Sequence, residues 1–328
     1  MKILLVKLSS LGDVIQALPV LSGLKAVFPE AEIDWVVEEP SAAILRNHPL
    51  LRRLLVFRRP QILAGLKRGS FAELRRFLHP LREETYDVVL DLQGLLKSGL
   101  IVGVSRGRCK VGFANHREGS PLFYNLKLPP YDPEMHAVRR YLSTLRVFGL
   151  ETPEAHFSFP PLPPLEELRR KFALPERFAV LVPVARWPTK LWTTEGWQVL
   201  AQRLKREGIF PVIVGAKGDA SYARKILAGA PGLSLCGETD LLELATLLRG
   251  ASVIVSVDTG PMHLAAALGK PVVALFGPTA PWRTGPYGEG HRVIFKGLSC
   301  SPCFKRECAS RRCLTEIAPE EVLQACGF

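Results

Sequence analysis

Short apolar runs alternate with amphipathic segments along the first half of the chain: "KILLVKL", then "DVIQALPVLSGLKAVFP", then "EIDWVVEE", and later "YDVVLDLQG". Short apolar runs suit buried strands and three- or four-residue apolar spacing suits helices, so the alternation predicts βαβ units around a parallel sheet. Val14, Leu18, Leu21, Leu24 and Phe28 keep the helical spacing and place Asp13 near the start of the first helix. Pro19 interrupts that pattern and predicts a kink or a later start. A Pro-rich stretch from Phe157 to Leu168, "FSFPPLPPLEEL", reads as a linker. Beyond it the alternation restarts with "FAVLVPVA", "TEGWQVLAQRLKREG", "FPVIVGA", "DLLELATLLRGA", "SVIVSVD", "MHLAAALG" and "PVVALFG". The chain is therefore read as α/β, with two Rossmann-like doubly wound domains over 1–160 and 161–328. Ligands of such sheets bind at the carboxyl ends of the strands, which places the expected site in a central cleft between the domains.

A length of 328 residues suits two domains, and 47% hydrophobic with 23% charged residues suits folded protein. The opening apolar run is short and broken by Lys7, so it reads as a strand and not as a signal segment. No stretch approaches the roughly 18 to 20 apolar residues of a membrane span, which points to the cytoplasm. Seven cysteines, an odd number, fit a reducing compartment.

Net charge changes the picture more. At +12 the chain should meet a polyanion: nucleic acid, a membrane surface or a phosphorylated substrate. The bases are concentrated at Arg52, Arg53, Arg58, Arg59, Lys67, Arg68, Arg75, Arg76 and Arg82, with Glu73 the single acid among them. That run is either a solvated helical face or an anion-binding surface. A basic nucleic-acid-binding protein is the alternative from another class, but no recognition motif or interleaved aromatic series accompanies the bases, and no nucleic acid is expected.

Candidate chemistry lies in three stretches. In "ASVIVSVDTGPMHLAAALGKPVVALFGPT", residues 251 to 279, a buried strand runs into a tight turn at Asp258, Thr259 and Gly260. Thr259 or Gly260 can cap the following helix, and Pro261 suits its first turn. Such an N-terminus suits an anion, with Asp258 and His263 beside it; the competing reading makes both simple turn and cap residues. In "PVARWPTKLWTTEGW", residues 183 to 197, Arg186, Thr189 and Lys190 follow the second half's first strand and offer the donors a diphosphate needs. The alternative leaves Lys190 solvated and Trp187, Trp192 and Trp197 in the core. "GAKGD" ends a further strand, and its Asp219 suits a ribose hydroxyl. Neither GxGxxG nor GxxxxGK[ST] occurs, which argues against NAD binding and P-loop hydrolysis.

In "VKLSSLGDV", residues 6 to 14, Ser9, Ser10 and Gly12 would let a ligand approach the backbone. Asp13 is either the cap of a helix beginning at Val14 or a general base. Near the C-terminus Cys300, Cys303, Cys308 and Cys313 are spaced C-x2-C-x4-C-x4-C, which leaves a structural metal and free thiols both open.

Together "VKLSSLGDV", "DWVVEE", "DLQGLLKSG", "PTKLW", "SVDTGPMHLAAALG" and "FGPT" resemble the family 9 glycosyltransferases, the ADP-heptose:lipopolysaccharide heptosyltransferases, over nearly the whole chain. The resemblance implies a GT-B fold and an inverting, metal-independent transfer of L-glycero-D-manno-heptose from ADP-heptose to the first Kdo of Kdo2-lipid A, with no cofactor. It implies a monomer working peripherally at the cytoplasmic face of the inner membrane. By motif position Asp13 is the implied base, and Thr189, Lys190, Asp219, Asp258, Thr259, Gly260 and His263 the donor contacts. Asp219 stands where the family has a donor-binding glutamate. Ser9, Ser10, Gly12, Arg58, Arg59, Lys97 and Arg117 are the implied acceptor contacts, the bases meeting Kdo carboxylates and lipid A phosphates. Residues 61 to 70 depart from the family, and no roles carry over there. A family member with a different acceptor and a GT-B nucleotide-sugar epimerase are the alternatives.

Overall fold

The computed structural model describes residues 1–151, 153–230 and 232–328, in two compact units, Met1–Pro161 and Leu162–Phe328. The first holds six strands: β1 Lys2–Val6, β2 Glu32–Glu38, β3 Arg53–Phe57, β4 Thr85–Asp91, β5 Arg106–Phe113 and β6 Leu126–Leu128. They form one parallel sheet in the order β3-β2-β1-β4-β5-β6. The second holds β7 Phe178–Val182, β8 Phe210–Ile213, β9 Leu233–Ser234, β10 Val253–Val257, β11 Val273–Phe276 and β12 Arg292–Phe295. Its order is β12-β11-β10-β7-β8-β9, again parallel.

Both sheets wind alike. Each begins in the middle, steps outward twice, and returns to the other side of its first strand. The reversal lies between β1 and β4 in one unit and between β7 and β10 in the other. At such a reversal the connections leave in opposite directions, and a crevice opens at the carboxyl ends of the two strands. The central strands are buried on both faces, as Ile3 to Val6 and Phe178 to Leu181 show with no exposed surface. That burial explains why these strands read as continuous apolar runs.

The helix after β1 spans Leu11–Val27 without interruption, with Ser10 as its N-cap and Pro19 inside it. It therefore starts before Val14, and Pro19 neither delays nor ends it. A proline in a helix interior costs about 3 kcal/mol, but Val14, Ile15, Leu18, Val20, Leu21 and Leu24 are fully buried. Each such burial is worth roughly 1.5–3 kcal/mol, so packing outweighs the lost hydrogen bond.

Two further expectations need correction. The Pro-rich linker ends earlier than read, because Leu165–Phe172 is a helix and its Glu166 and Glu167 occupy the favourable first turn. The basic run also divides. Arg52 and Arg53 both turn inward to the fully buried Asp34, with nitrogen to oxygen distances of 2.7 Å each, and to Glu84. Asp34 lies opposite Arg53 in the β2–β3 register, so the two arginines neutralise a carboxylate inside the sheet and are not a surface for ligand.

Candidate functional site

In the first unit the site begins where β1 ends. Lys7 continues the strand into the core, its side chain 3% exposed, and its Nζ lies 3.7 Å from Asp13 Oδ1. Asp13 is inside the first helical turn. Its Oδ2 accepts from the Ser10 backbone N–H at 3.1 Å and from the Ser10 hydroxyl at 2.7 Å. Its Oδ1 accepts from the Tyr141 hydroxyl at 2.9 Å. Tyr141 comes from the helix Ala137–Leu142, which packs on the Leu11–Val27 helix. The Lys7 ammonium sits 4.8 Å from the Tyr141 ring centroid, and the Arg140 guanidinium stacks at 5.1 Å.

The carboxylate thus completes a cap and has donors on both oxygens, yet its side chain keeps 36% of its surface exposed. Burial by itself would raise its pKa. The Lys7 ammonium, the Ser10 bonds and the Tyr141 hydroxyl outweigh that and hold Asp13 well below the usual carboxylate range. Lys7 is affected reciprocally: burial disfavours its charge, but Asp13 and Tyr141 raise its pKa above the ordinary lysine value.

A second loop supports the first. Asp91, the last residue of β4, is fully buried, and its Oδ1 accepts from the N–H groups of Gln93 at 2.8 Å and Gly94 at 3.0 Å. Its Oδ2 takes the hydroxyls of Ser98 at 2.8 Å and Tyr124 at 2.7 Å. The turn so formed aims Gln93 Oε1 at the N–H groups of Leu8 at 3.2 Å and Ser9 at 3.1 Å. Gly94 has φ +68° and a Cβ there would lie 2.3 Å from the His116 ring, so this turn requires glycine. His116 has its pKa pushed down to about 3 by burial, Arg140 and Lys7, so it stands neutral against Tyr124.

Lys97 reaches into this arrangement, its Nζ 2.8 Å from both Ser9 Oγ and Glu38 Oε1. Arg58 pairs with the next acid, Glu39, at 2.7 Å. Ser9 and Lys97 are therefore tied to Glu38, and Arg58 to Glu39, the adjacent acids of "DWVVEE", while Ser10 and Asp13 bond to each other. Gly12 is buried in the first helical turn. Arg59 opens the helix Arg59–Lys67, and Arg117 is exposed on the loop after β5, tied by its backbone to Gly94.

The second unit repeats the plan at β7 and β10. Asp258, just past β10, is 6% exposed, and its Oδ2 accepts from Lys190 Nζ and from Thr279 Oγ1, each at 2.6 Å. His263 Nε2 lies 3.9 Å from the other oxygen, Oδ1. Lys190 is 17% exposed and lies 4.9 Å from the Trp187 ring centroid, so it is held in place and not solvated. Trp192 and Trp197 are core residues. Thr189 is buried, its hydroxyl donating to the Lys305 carbonyl at 2.8 Å. The helix Gly260–Ala267 starts at the N-cap Thr259 with proline in its first turn.

Beside this cluster is a cavity of about 410 Å³. Val182, Val214 and Leu244 give it apolar walls, and Arg186, Asp219 and Asp240 polar ones. Asp219 is partly engaged, accepting the Ala216 N–H at 2.8 Å. The volume lies within the range of small-molecule sites. Lys7, Tyr141, Asp240 and Leu244 are the residues sequence reasoning missed. Lys7 left a signal, a charge at the end of an apolar strand; Asp240 left another, an N-cap three residues before Glu243.

Cys300, Cys303, Cys308 and Cys313 line one small cavity and none is in a disulfide. Among the described residues no three His, Cys, Asp or Glu side chains are placed to hold a metal ion. No helix among the described residues is long and apolar enough to cross a membrane.

With this geometry in hand, comparison with known proteins places the chain. The family model "Glycosyltransferase family 9 (heptosyltransferase)" matches residues 74–313. Lipopolysaccharide heptosyltransferase 1 of Pseudomonas aeruginosa is 34% identical over 318 residues, covering 94% of this chain and 87% of that protein. The structure of E. coli heptosyltransferase WaaC with ADP superposes with a TM-score of 0.81 at 29% identity, covering 99% of this chain and 98% of the other. That of E. coli ADP-heptose lps heptosyltransferase II gives 0.79 at 26% identity, covering 100% and 98%. The chain belongs to glycosyltransferase family 9, the heptosyltransferases, and its two parallel six-stranded sheets with their helices are those of the GT-B fold.

Proposed function

We propose that this heptosyltransferase moves L-glycero-D-manno-heptose from ADP-heptose, with inversion, to the first Kdo of Kdo2-lipid A, as a heptosyltransferase I. The reading is carried by the two lysine–carboxylate pairs at equivalent crevices. One exposes a fixed carboxylate, the other a fixed ammonium. Such a transfer needs a base for the acceptor hydroxyl and a cation for the departing phosphate.

In this mechanism the acceptor oxygen attacks the anomeric carbon as Asp13 takes its proton, and the bond from that carbon to the phosphate oxygen breaks. ADP leaves with the bonding pair. Lys190 shifts its ammonium from Asp258 toward the β-phosphate, and the Thr259–Gly260 end of the helix adds its dipole. Adenosine occupies the cavity walled by Val214 and Leu244, with Asp219 on the ribose. A carboxylate held as acidic as Asp13 is a weak base, so proton transfer comes late, once the attacking oxygen has become acidic through bonding to carbon. Lys97 and Arg58, already paired with acids, exchange Glu38 and Glu39 for acceptor carboxylates, with Arg59 and Arg117 beside them.

Acceptor choice follows the closer relatives: type 1 proteins reach 34% and 32% identity, and a type 2 protein of Salmonella typhimurium 28%. The deciding assay is ADP release from ADP-heptose with Kdo2-lipid A and, separately, with Kdo2-lipid A already carrying one heptose. Release with the first acceptor alone is expected. Release only with the second would make this a type II enzyme, and ADP-heptose conversion without any acceptor would replace transfer by epimerisation.

A further inference from the structure

The bases that follow Arg59, from Lys67 to Arg82, belong to a surface with no part in the chemistry above. Helices Arg59–Lys67 and Ala72–Glu83 are joined by a short turn. The turn is tightly closed: the N–H groups of Arg68 and Ser70 both donate to the Gly65 carbonyl, and that of Gly69 to Leu66. One side of this pair packs down, with Ile62, Phe77 and Leu81 joining Leu55 in the core. The other side is open. Phe71, at the turn, is 55% exposed, and Leu63 is 46% exposed.

The same two helices and their turn carry Lys67, Arg68, Arg75, Arg76 and Arg82, all exposed. Only Arg76 has an acidic partner among the described residues, Glu73 at 3.1 Å, and it remains 74% exposed. A large aromatic side chain in water, on a hydrogen-bonded turn between cationic helices, has no explanation in the packing of the unit. It fits a partner that is apolar within a few ångströms of an anionic face. A bilayer has that profile, with phosphates attracting Lys and Arg and a boundary layer accepting Phe and Leu. Nucleic acid would call for several stacking aromatics, and Phe71 stands alone.

We propose that the part of the hairpin from 63 to 82 is a docking surface for an anionic phospholipid bilayer, with Phe71 and Leu63 entering the headgroup layer and Lys67, Arg68, Arg75, Arg76 and Arg82 facing lipid phosphates. Its use rests on the acceptor being a lipid, as proposed above; the docking itself does not. The full chain is therefore tested by flotation with vesicles of phosphatidylcholine alone and with about one-third phosphatidylglycerol, containing neither saccharide nor ADP-heptose. Partitioning should be about tenfold stronger on the anionic vesicles and fall steeply with added salt. The pairs Phe71→Ser with Leu63→Ser and Arg68→Glu with Arg75→Glu should each weaken it about fivefold or more, while transfer to a water-soluble, delipidated acceptor stays at the wild-type rate. Phe71→Trp should retain binding and add a blue-shifted emission with anionic vesicles, which does not depend on a disruptive variant. Equal partitioning on both vesicles, or anionic binding unchanged in both pairs, overturns the proposal. So does binding that appears only when Kdo2-lipid A is included, which would make this surface part of the acceptor site.

Discussion

The crevices at β1 and at β7 hold the same two groups in opposite roles. At β1 the lysine is sealed in, 3% exposed, and the carboxylate looks outward at 36%. At β7 the carboxylate is sealed in at 6%, and the lysine is the more accessible member at 17%. The spacing differs too, 3.7 Å against 2.6 Å. In each case the buried member holds the other in place. What a doubly wound unit offers a substrate therefore depends on which half of an ion pair it hides, and that is set by whether the strand end or the loop supplies the lysine.

Exchanging the outward group should have the largest effect. Asp13→Asn keeps the shape and removes the proposed base, and should lower kcat by about 10²–10⁴-fold with KM for ADP-heptose little changed. Wild-type kcat in a folded Asn variant would reduce Asp13 to the cap that its Ser10 bonds also make it. Next, Lys190→Ala should cost about 10²–10³-fold in kcat and weaken ADP in a calorimetric titration, since Asp258 then faces the phosphates uncompensated. Unchanged ADP affinity would remove Lys190 from the donor site.

The hidden partners should act more gently and through pH. Because Lys7 holds Asp13 below its ordinary value, the wild-type acid limb of kcat should lie below about pH 4. Lys7→Met removes that positive charge, so Asp13 binds its proton at higher pH and the acid limb should rise by roughly one to three units. A merely structural lysine would lower the rate at every pH without moving the limb. The smallest effect is expected for Tyr141→Phe, which removes one of the three hydrogen bonds on Asp13 and should cost about three- to tenfold in kcat, with a slight rise of the same limb.

Much of this was legible in the chain because it is local. Strand and helix periods are written in consecutive residues, and the turns after strands announce themselves through glycine, proline and small polar residues. Arg52 and Arg53 misled because their partner Asp34 lies on the neighbouring strand, where only the sheet register brings it opposite. Tyr141 was invisible for a similar reason: it is 128 residues from Asp13, on a helix whose sequence resembles any other amphipathic segment. Lys7 was visible as a charge at the end of an apolar strand, but the reason for it lay in the loop it faces.

The sheet order has a consequence for how the chain is made. β1 precedes both β2 and β4 in the chain yet sits between them, and Val6 is paired with Asp91. The loop carrying Ser9 is held by Gln93, so it has no fixed shape until the chain is extended past that residue. At about 5–20 residues per second, several seconds separate the synthesis of β1 from that of its second neighbour, β4. The position that best serves the crevice, the middle of the sheet, is also the one that leaves β1 without its second neighbour until β4 has been made.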